Sequence, residues 1–225
     1  MIALYSLPIS SRLIFWALSF VTVLYGILDW KRLQDPQLNA WFCNSILLQR
    51  LVLRKEEKRE KLTSSLFFLI GSTLTVFLFS RPVAALAILY LCWCDPAANI
   101  FGKAFAPPSS SKRRPVEPDS TSLLSWITSY RFSNNKSLVG SLAAAAVGLI
   151  VTLLFLICTT ASTLELSLLS YAWRLILTSV AGGVFAALGE GCSFGSLDDN
   201  LTMPLVSAFL LTLFSPIEAL YLNSI

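Results

Sequence analysis

The sequence LVGSLAAAAVGLIVTLLFLIC, residues 138–158, decides the fold class of this chain. The stretch is continuous, apolar and uncharged, and its length matches the about 20 residues that an α-helix needs to cross a bilayer. Gly140, Ser141 and the alanines that follow are small enough to let a second helix pack closely. The stretch therefore predicts a membrane-spanning helix with a closely packed neighbour.

The composition of the whole chain predicts the same class. The chain has 225 residues, of which 55% are hydrophobic and 13% charged. Its mean hydropathy of +0.69 is too high for a soluble domain. Its apolar stretches are continuous, not short and alternating, which excludes a membrane β-barrel. We predict an all-α integral membrane protein in which residues 1–225 form a single polytopic domain.

Six apolar runs are predicted to be the spans, at about residues 13–28, 66–79, 83–93, 138–158, 166–188 and 205–222. After the first run, apolar residues recur at helical spacing up to a charged end at 54–61, which predicts an amphipathic interfacial helix. Residues 104–133 are rich in Pro, Ser and basic residues and are predicted to be a flexible basic loop.

The Lys and Arg residues orient these spans. Most of them lie in the first loop, residues 31–61, and in the third loop, residues 103–136. By the positive-inside rule these two loops are cytosolic, and alternation places residues 190–204 on the same side. The basic residues thus indicate topology and not a nucleic-acid partner. The chain has no His and its five Cys lie mostly in or beside apolar runs, so a zinc site or disulfide framework is not expected.

The polar stretch EGCSFGSLDDNLTMP, residues 190–204, separates the last two spans. Glu190, Asp198, Asp199 and Asn200 provide hard oxygen ligands of the kind that Mg²⁺ or Ca²⁺ prefers, and Mg²⁺ usually adds waters and nucleotide phosphates. These residues predict a metal-phosphate loop. The alternative is a solvated connection in which Asp and Asn form turns.

Further polar residues are predicted to lie at the same cytosolic surface, where three spans begin with helix N-termini that favour phosphate. Ser137 is a suitable N-cap for the fourth span, and Lys136 beside it can place a point charge on a phosphate or simply anchor the helix at the interface. Asp95, at the end of an apolar helix, is either a helix stop or a functional acid. The remaining polar residues of this surface are Asp29, Arg54, Glu57 and Lys103.

Several of these residues form an ordered pattern that resembles a known family. The pattern consists of Cys94-Asp95-x-x-Ala98-x-x-x-Gly102-Lys103, Lys136-Ser137-x-x-Gly140-Ser141, Glu190, and Asp198-Asp199-Asn200-Leu201-Thr202-x-Pro204. It resembles the CTP-dependent lipid kinases, which include diacylglycerol, dolichol and phytol kinases. The N-terminal part of the diacylglycerol kinase pattern is matched by Asp29 with Arg32, Arg54-x-x-Glu57 and Gly71. The resemblance covers about residues 24–214, with Pro96 where Thr is common and Ala106 where a second Gly is expected.

The resemblance implies a multi-pass protein of the endoplasmic reticulum or nuclear envelope that transfers the γ-phosphate of CTP to diacylglycerol, giving phosphatidate, with Mg²⁺ or Ca²⁺. Its catalytic residues would be Asp95, Glu190, Asp198 and Asp199, of which Asp95, Asp198 and Asp199 would hold the metal ion. The nucleotide would be bound by Arg54, Gly102, Lys103, Lys136, Ser137 and Asn200. A supporting set comprises Asp29, Glu57 and Gly140.

Two alternatives stay open at this point. A polyprenol, dolichol or phytol kinase would use the same phosphate machinery on an isoprenoid alcohol, and the sequence does not separate the acceptors. From a different class, the chain could be an inactive membrane scaffold or a small transporter. A transporter is expected to keep polar groups near the middle of the membrane, whereas this sequence concentrates them at one interface.

The topology can be tested at two glycosylation sequons, Asn135-Lys136-Ser137 and Asn200-Leu201-Thr202. Only a lumenal enzyme could modify them. Because both loops are predicted to be cytosolic, Asn135 and Asn200 should carry no glycan when the chain is expressed in a eukaryotic membrane. The measurement is the electrophoretic mobility before and after deglycosylation, and a shift from either asparagine would overturn the topology.

Overall fold

The computed structural model describes residues 10–44, 62–105, 130, 136–160, 168–192 and 197–214. Within these residues all regular structure beyond a single bridge is helical. Seven helices are described: α1 Ser11–Gln34, α2 Pro36–Asn44, α3 Ser64–Leu78, α4 Arg81–Phe105, α5 Leu138–Thr160, α6 Leu168–Gly191 and α7 Asp199–Leu213.

The prediction of a helical protein is confirmed, with differences at particular boundaries. Each of the six predicted apolar runs overlaps one helix, and residues 166–167 and 215–222 of the last two runs lie outside the described residues. However, α4 continues past residue 93 to Phe105, and α7 begins at Asp199, before residue 205. Of the predicted interfacial helix, residues 45–61 lie outside the described residues, as does nearly all of the predicted loop 104–133.

Four helices are long and apolar enough to cross a membrane, namely α1, α4, α5 and α6. The two others that match predicted spans, α3 and α7, are shorter, at 15 residues each. Large apolar side chains on α1, such as Trp16 and Phe20, are exposed on the outside of the bundle, where lipid would cover them. These helices indicate a membrane protein, and the number of six spans stays a prediction.

Helix α4 is the central element of the bundle. It packs against α5 and α7, and its residues Val83, Leu86, Ala87 and Tyr90 are fully buried. The Tyr90 hydroxyl lies 2.6 Å from the Thr152 hydroxyl of α5, so this buried polar atom has a partner in an apolar surrounding. The continuous apolar run at residues 83–93 is therefore explained by its place in a helix that other helices surround.

Small residues bring the helix backbones close together. A Cβ atom on Gly148 of α5 would lie 2.6 Å from the Cβ atom of Ala186 on α6, closer than real Cβ contacts. On the other side of the bundle, a Cβ atom on Gly71 of α3 would lie 2.6 Å from the Asn200 carbonyl oxygen of α7. Pro204 has no N–H to donate to that carbonyl four residues earlier in α7. The close approach of α3 therefore occurs where the α7 backbone lacks one helical hydrogen bond.

The chain direction puts one set of helix ends together. Side-chain contacts join the end of α1 to the start of α3, the start of α3 to the start of α7, and the start of α5 to both the end of α6 and the start of α7. These helix ends therefore share one end of the bundle. The last turn of α4 joins them, because Gly102 lies against Ser137 just before α5. We call this region the polar end of the bundle.

Replacement of Gly71 by Ala should destabilise the protein, since the added methyl group meets backbone atoms of α7 that cannot move independently. We expect a cost of about 1–3 kcal/mol, typical of overpacking. Gly26→Ala is the matched control, because its Cβ atom would meet only Leu66 at an ordinary 3.6 Å. Melting temperatures in detergent micelles should fall for Gly71→Ala alone. Equal melting temperatures for the two variants would contradict the close approach of α3 and α7.

Candidate active site

Lys136 lies two positions before the first residue of α5 and joins three helices. Its Nζ atom lies 3.3 Å from Oε1 of Glu190, in the last turn of α6, and 3.2 Å from Oδ2 of Asp199, the first residue of α7. It also donates to the backbone carbonyl of Glu190. The side chains of Lys136 and Glu190 are 15% and 10% exposed, whereas that of Asp199 is 39% exposed. The pair with Glu190 is therefore largely desolvated, while Asp199 is open to solvent.

Glu190 is bound on both of its carboxylate oxygens. Ser141, in the first turn of α5, donates its hydroxyl to Oε2 at 3.1 Å, and Lys136 lies against Oε1. A carboxylate with both oxygens occupied and little exposure is suited to hold a neighbouring cation in place. The structure thus places Glu190 as the buried partner of Lys136, and its predicted catalytic role stays a prediction.

The start of α5 is built from small residues, as its sequence suggested. The Ser137 hydroxyl accepts from the Gly140 N–H at 3.1 Å, which confirms Ser137 as the residue that caps this helix. A Cβ atom on Gly102 would lie 2.8 Å from the Ser137 hydroxyl, and one on Gly140 would lie 2.9 Å from the Ala98 carbonyl oxygen. Gly102, Ser137 and Gly140 are therefore brought together, and the two glycines let α4 and α5 touch.

Asp198 and Asn200 form a second polar group at the start of α7. Oδ1 of Asp198 accepts from the Asn200 N–H at 2.9 Å, which makes Asp198 the N-cap of α7. Oδ2 of Asp198 accepts from the Ser64 hydroxyl at 3.0 Å, and the Asn200 side-chain amide donates to the Ser64 carbonyl at 3.2 Å. Ser64 was not among the predicted site residues. Thr63-Ser64 at the start of an apolar run is typical of a helix N-terminus, but this pattern does not identify Asp198 as the partner.

Asp29 and Arg32 form a buried ion pair at the end of α1. The Arg32 Nε atom donates to Oδ1 of Asp29 at 2.8 Å, and Oδ2 of Asp29 accepts from the Thr63 N–H at 2.8 Å. The Thr63 hydroxyl lies 3.0 Å from the Tyr25 hydroxyl. The pair therefore anchors the beginning of α3, and the supporting role of Asp29 in the site stays a prediction.

Asp95 and Lys103 occupy one helix but different surroundings. Asp95 is half-buried in α4 and accepts from the Asn99 side chain at 3.1 Å, whereas Lys103 is exposed in the last turn. Two other predicted site residues, Arg54 and Glu57, lie outside the described residues.

Among the residues that the structure describes, no three His, Cys, Asp or Glu side chains gather into a group that could hold a metal ion. The predicted metal set of Asp95, Asp198 and Asp199 is thus not brought together as three ligands. Mg²⁺, however, is commonly held by one or two carboxylates together with substrate phosphates. Asp199 is partly exposed, and each oxygen of Asp198 keeps a lone pair beyond its hydrogen bond, so these two residues fit such an ion.

The fold and this polar end define a helical membrane protein in which carboxylates and a lysine meet at one end of an apolar bundle. Its sequence is 31% identical over 204 residues to CTP-dependent diacylglycerol kinase 1 of Eremothecium gossypii, covering 84% of this chain and 54% of that protein. The protein of the same name from Saccharomyces cerevisiae is 27% identical over 213 residues, covering 91% and 65%. That of Schizosaccharomyces pombe is 28% identical over 178 residues, covering 77% and 71%.

The predicted resemblance is confirmed: the chain is similar over most of its length to three proteins named CTP-dependent diacylglycerol kinase. It spans between about half and seven-tenths of the length of these curated relatives. No family model matches the chain, and no solved structure matches it.

Glu190→Ala should destabilise the protein, because it leaves the Lys136 ammonium without its most buried partner. Loss of one member of a buried pair suggests a cost on the order of 3 kcal/mol. Glu190→Gln is the matched variant, because it keeps an oxygen for Ser141 and removes only the charge. Its melting temperature should lie between those of Glu190→Ala and the wild type. A wild-type melting temperature for Glu190→Ala would show that the pair does not stabilise the bundle.

Proposed function

We propose that this chain is a CTP-dependent lipid kinase that transfers the γ-phosphate of CTP to the free hydroxyl of diacylglycerol, giving phosphatidate and CDP. The observation that carries the proposal is its similarity, over most of its length, to three proteins named CTP-dependent diacylglycerol kinase. The polar end of the bundle supports it, because this region holds the charged groups that such a transfer needs.

In the reaction, the lipid hydroxyl oxygen forms a bond to the γ-phosphorus while the bond from that phosphorus to the β–γ bridging oxygen breaks. The hydroxyl proton passes to a base, and CDP leaves with the bridging oxygen. Phosphoryl transfer depends chiefly on positioning and on neutralising the phosphate charge. An apolar bundle with charged groups at one end can bring a lipid hydroxyl and a soluble nucleotide to the same place.

Lys136 is the residue proposed to contact the phosphates. It lies at the N-terminus of α5, where the helix dipole also favours an anion. In the structure its ammonium is shared between Glu190 and the more exposed Asp199. On nucleotide binding, Lys136 would keep its buried partner Glu190 and exchange Asp199 for a phosphate oxygen.

Asp198 and Asp199 are proposed to hold Mg²⁺, which would supply charge neutralisation on the β- and γ-phosphates. Release of Asp199 from Lys136 makes its carboxylate available to a cation at the moment when the phosphates occupy the lysine. Asn200, Ser137, Gly102, Lys103 and Arg54 stay proposed as the nucleotide-binding set.

Asp95 is proposed to accept the proton of the lipid hydroxyl. It is half-buried in α4, ten residues before that helix ends, and so lies nearer to the apolar part of the bundle than Gly102 does. An acid at such a depth in an apolar helix is costly unless it has a function.

We further propose that the polar end faces the cytosol at the endoplasmic reticulum or nuclear envelope, which the loop charges support.

The direct test is phosphate transfer by the purified full chain in mixed micelles. Radiolabelled CTP or ATP is offered with diacylglycerol, dolichol or phytol, and the labelled lipid is identified. We expect a labelled lipid only when CTP is combined with diacylglycerol, and we expect that lipid to be phosphatidate. Transfer to dolichol or phytol in its place would show a different acceptor, and no transfer to any lipid would overturn the kinase assignment.

Lys136→Ala should lower kcat/KM for CTP by about 100-fold, because a charged partner of the phosphates is lost from a partly desolvated site. Lys136→Arg should also lower it, since a planar guanidinium cannot replace a compact ammonium. The matched control is Lys31→Ala, which removes an exposed lysine at the end of α1 and should have little effect.

Kinetics are compared at equal amounts of folded protein. If Lys136 is only an interfacial anchor, the arginine variant will match the wild type and the alanine variant will lose expression but not kcat/KM. That result would remove Lys136 from the phosphate site.

A further inference from the structure

Ser64 is the first residue of α3 and is 7% exposed. Its hydroxyl donates to Oδ2 of Asp198 at 3.0 Å across 134 residues of sequence. The other oxygen of this carboxylate is used locally, because Oδ1 accepts from the Asn200 N–H. Ser64 is therefore the group from another helix that fixes the Asp198 side chain.

A second hydrogen bond makes this contact reciprocal. The Asn200 side-chain amide donates to the Ser64 backbone carbonyl at 3.2 Å. Two bonds in opposite directions thus join the first turns of α3 and α7. These bonds leave little freedom for one helix end to move without the other. The close approach of Gly71 in α3 to the Asn200 carbonyl of α7 restricts this relative movement further.

The start of α3 is itself held in place. The N–H of Thr63, the residue before Ser64, donates to Oδ2 of Asp29 at 2.8 Å, and its hydroxyl lies 3.3 Å from the same oxygen. Asp29 is in turn paired with the fully buried Arg32. The Ser64 hydroxyl is therefore presented to Asp198 from a backbone that a buried ion pair anchors.

We infer that Ser64 is a positioning residue for Asp198: it fixes the rotation of that carboxylate so that its remaining lone pairs are held ready for the divalent cation of the CTP complex. The terminal torsion of an Asp side chain is broad and weakly restricted, and a bond to Oδ1 alone would leave Oδ2 able to turn. The bond from Ser64 removes that freedom before substrate binds. The inference rests on the proposed kinase function.

The test compares Ser64→Ala with Ser72→Ala in the full-length chain. Both variants remove one buried serine hydroxyl from α3, but the Ser72 hydroxyl has no hydrogen-bond partner within the described residues. Ser64→Thr is the conservative variant, because it keeps a donor. Ser64→Ala is also combined with Asp198→Asn, so that a double-mutant cycle shows whether Ser64 acts through Asp198.

Two quantities are measured for each variant: kcat/KM for CTP at varied Mg²⁺, and binding of Mn²⁺ in the presence of CTP without lipid acceptor, from the electron paramagnetic resonance signal of free Mn²⁺. We expect Ser64→Ala to lower kcat/KM and to weaken Mn²⁺ binding by about tenfold each, as for a lost hydrogen bond to a charged group. Ser64→Thr should recover most of both, and Ser72→Ala should match the wild type. In the Asp198→Asn background, Ser64→Ala should have no further effect.

The inference is overturned if Ser64→Ala behaves like Ser72→Ala, or if its effect multiplies with that of Asp198→Asn. A wild-type chain that transfers no phosphate from CTP would instead refute the proposed function. In that case the double-mutant cycle measured by Mn²⁺ binding still tests the role of Ser64. Additive effects of Ser64→Ala and Asp198→Asn on Mn²⁺ binding would contradict the positioning role of Ser64.

Discussion

The Lys136 ammonium, held between Glu190 and Asp199, is the constraint on which the polar end of this bundle depends. A charge at the end of an apolar bundle is costly unless it is paired, and here one cation satisfies acids from two other helices. The start of α5, the end of α6 and the start of α7 must therefore meet at one point. Any anion that binds there has to replace one of the two carboxylates, and the more exposed Asp199 is the one that can leave.

The position of the helices could be predicted from sequence because bilayer thickness fixes the length of an apolar run. Among the boundaries that differ, the end of α4 and the start of α7 are those where polar residues and a proline lie within the helix. Pro96 and Pro204 lie just outside the predicted spans 83–93 and 205–222, and a proline removes a helical hydrogen bond. In the structure both prolines are inside helices, and at Pro204 the backbone carbonyl that loses its partner faces Gly71.

The candidate site was predictable as a region but not as a set of contacts. Alternation of the spans places the charged residues at one end without any knowledge of packing. Which side chains touch depends on the rotation of each helix about its own axis, and a hydroxyl within an apolar run carries no sign of its partner. Ser141 and Ser64 show this, since each donates to a carboxylate that is distant in sequence, Glu190 and Asp198 respectively.

Asp198 and Asp199 are adjacent in sequence but differ in what the fold requires of them. Asp198 caps α7 through Oδ1 and accepts from Ser64 of α3 through Oδ2, so each of its oxygens has a hydrogen-bond donor that fixes its orientation. Asp199, the first residue of α7, has a side chain that is 39% exposed and is paired with Lys136. A carboxylate that caps one helix and accepts from another is held in one orientation, whereas a carboxylate that is paired with a lysine at a partly exposed position can exchange that partner. The adjacent pair thus provides one preorganised and one exchangeable acid at the place proposed for the nucleotide phosphates, a combination that neither residue could supply alone.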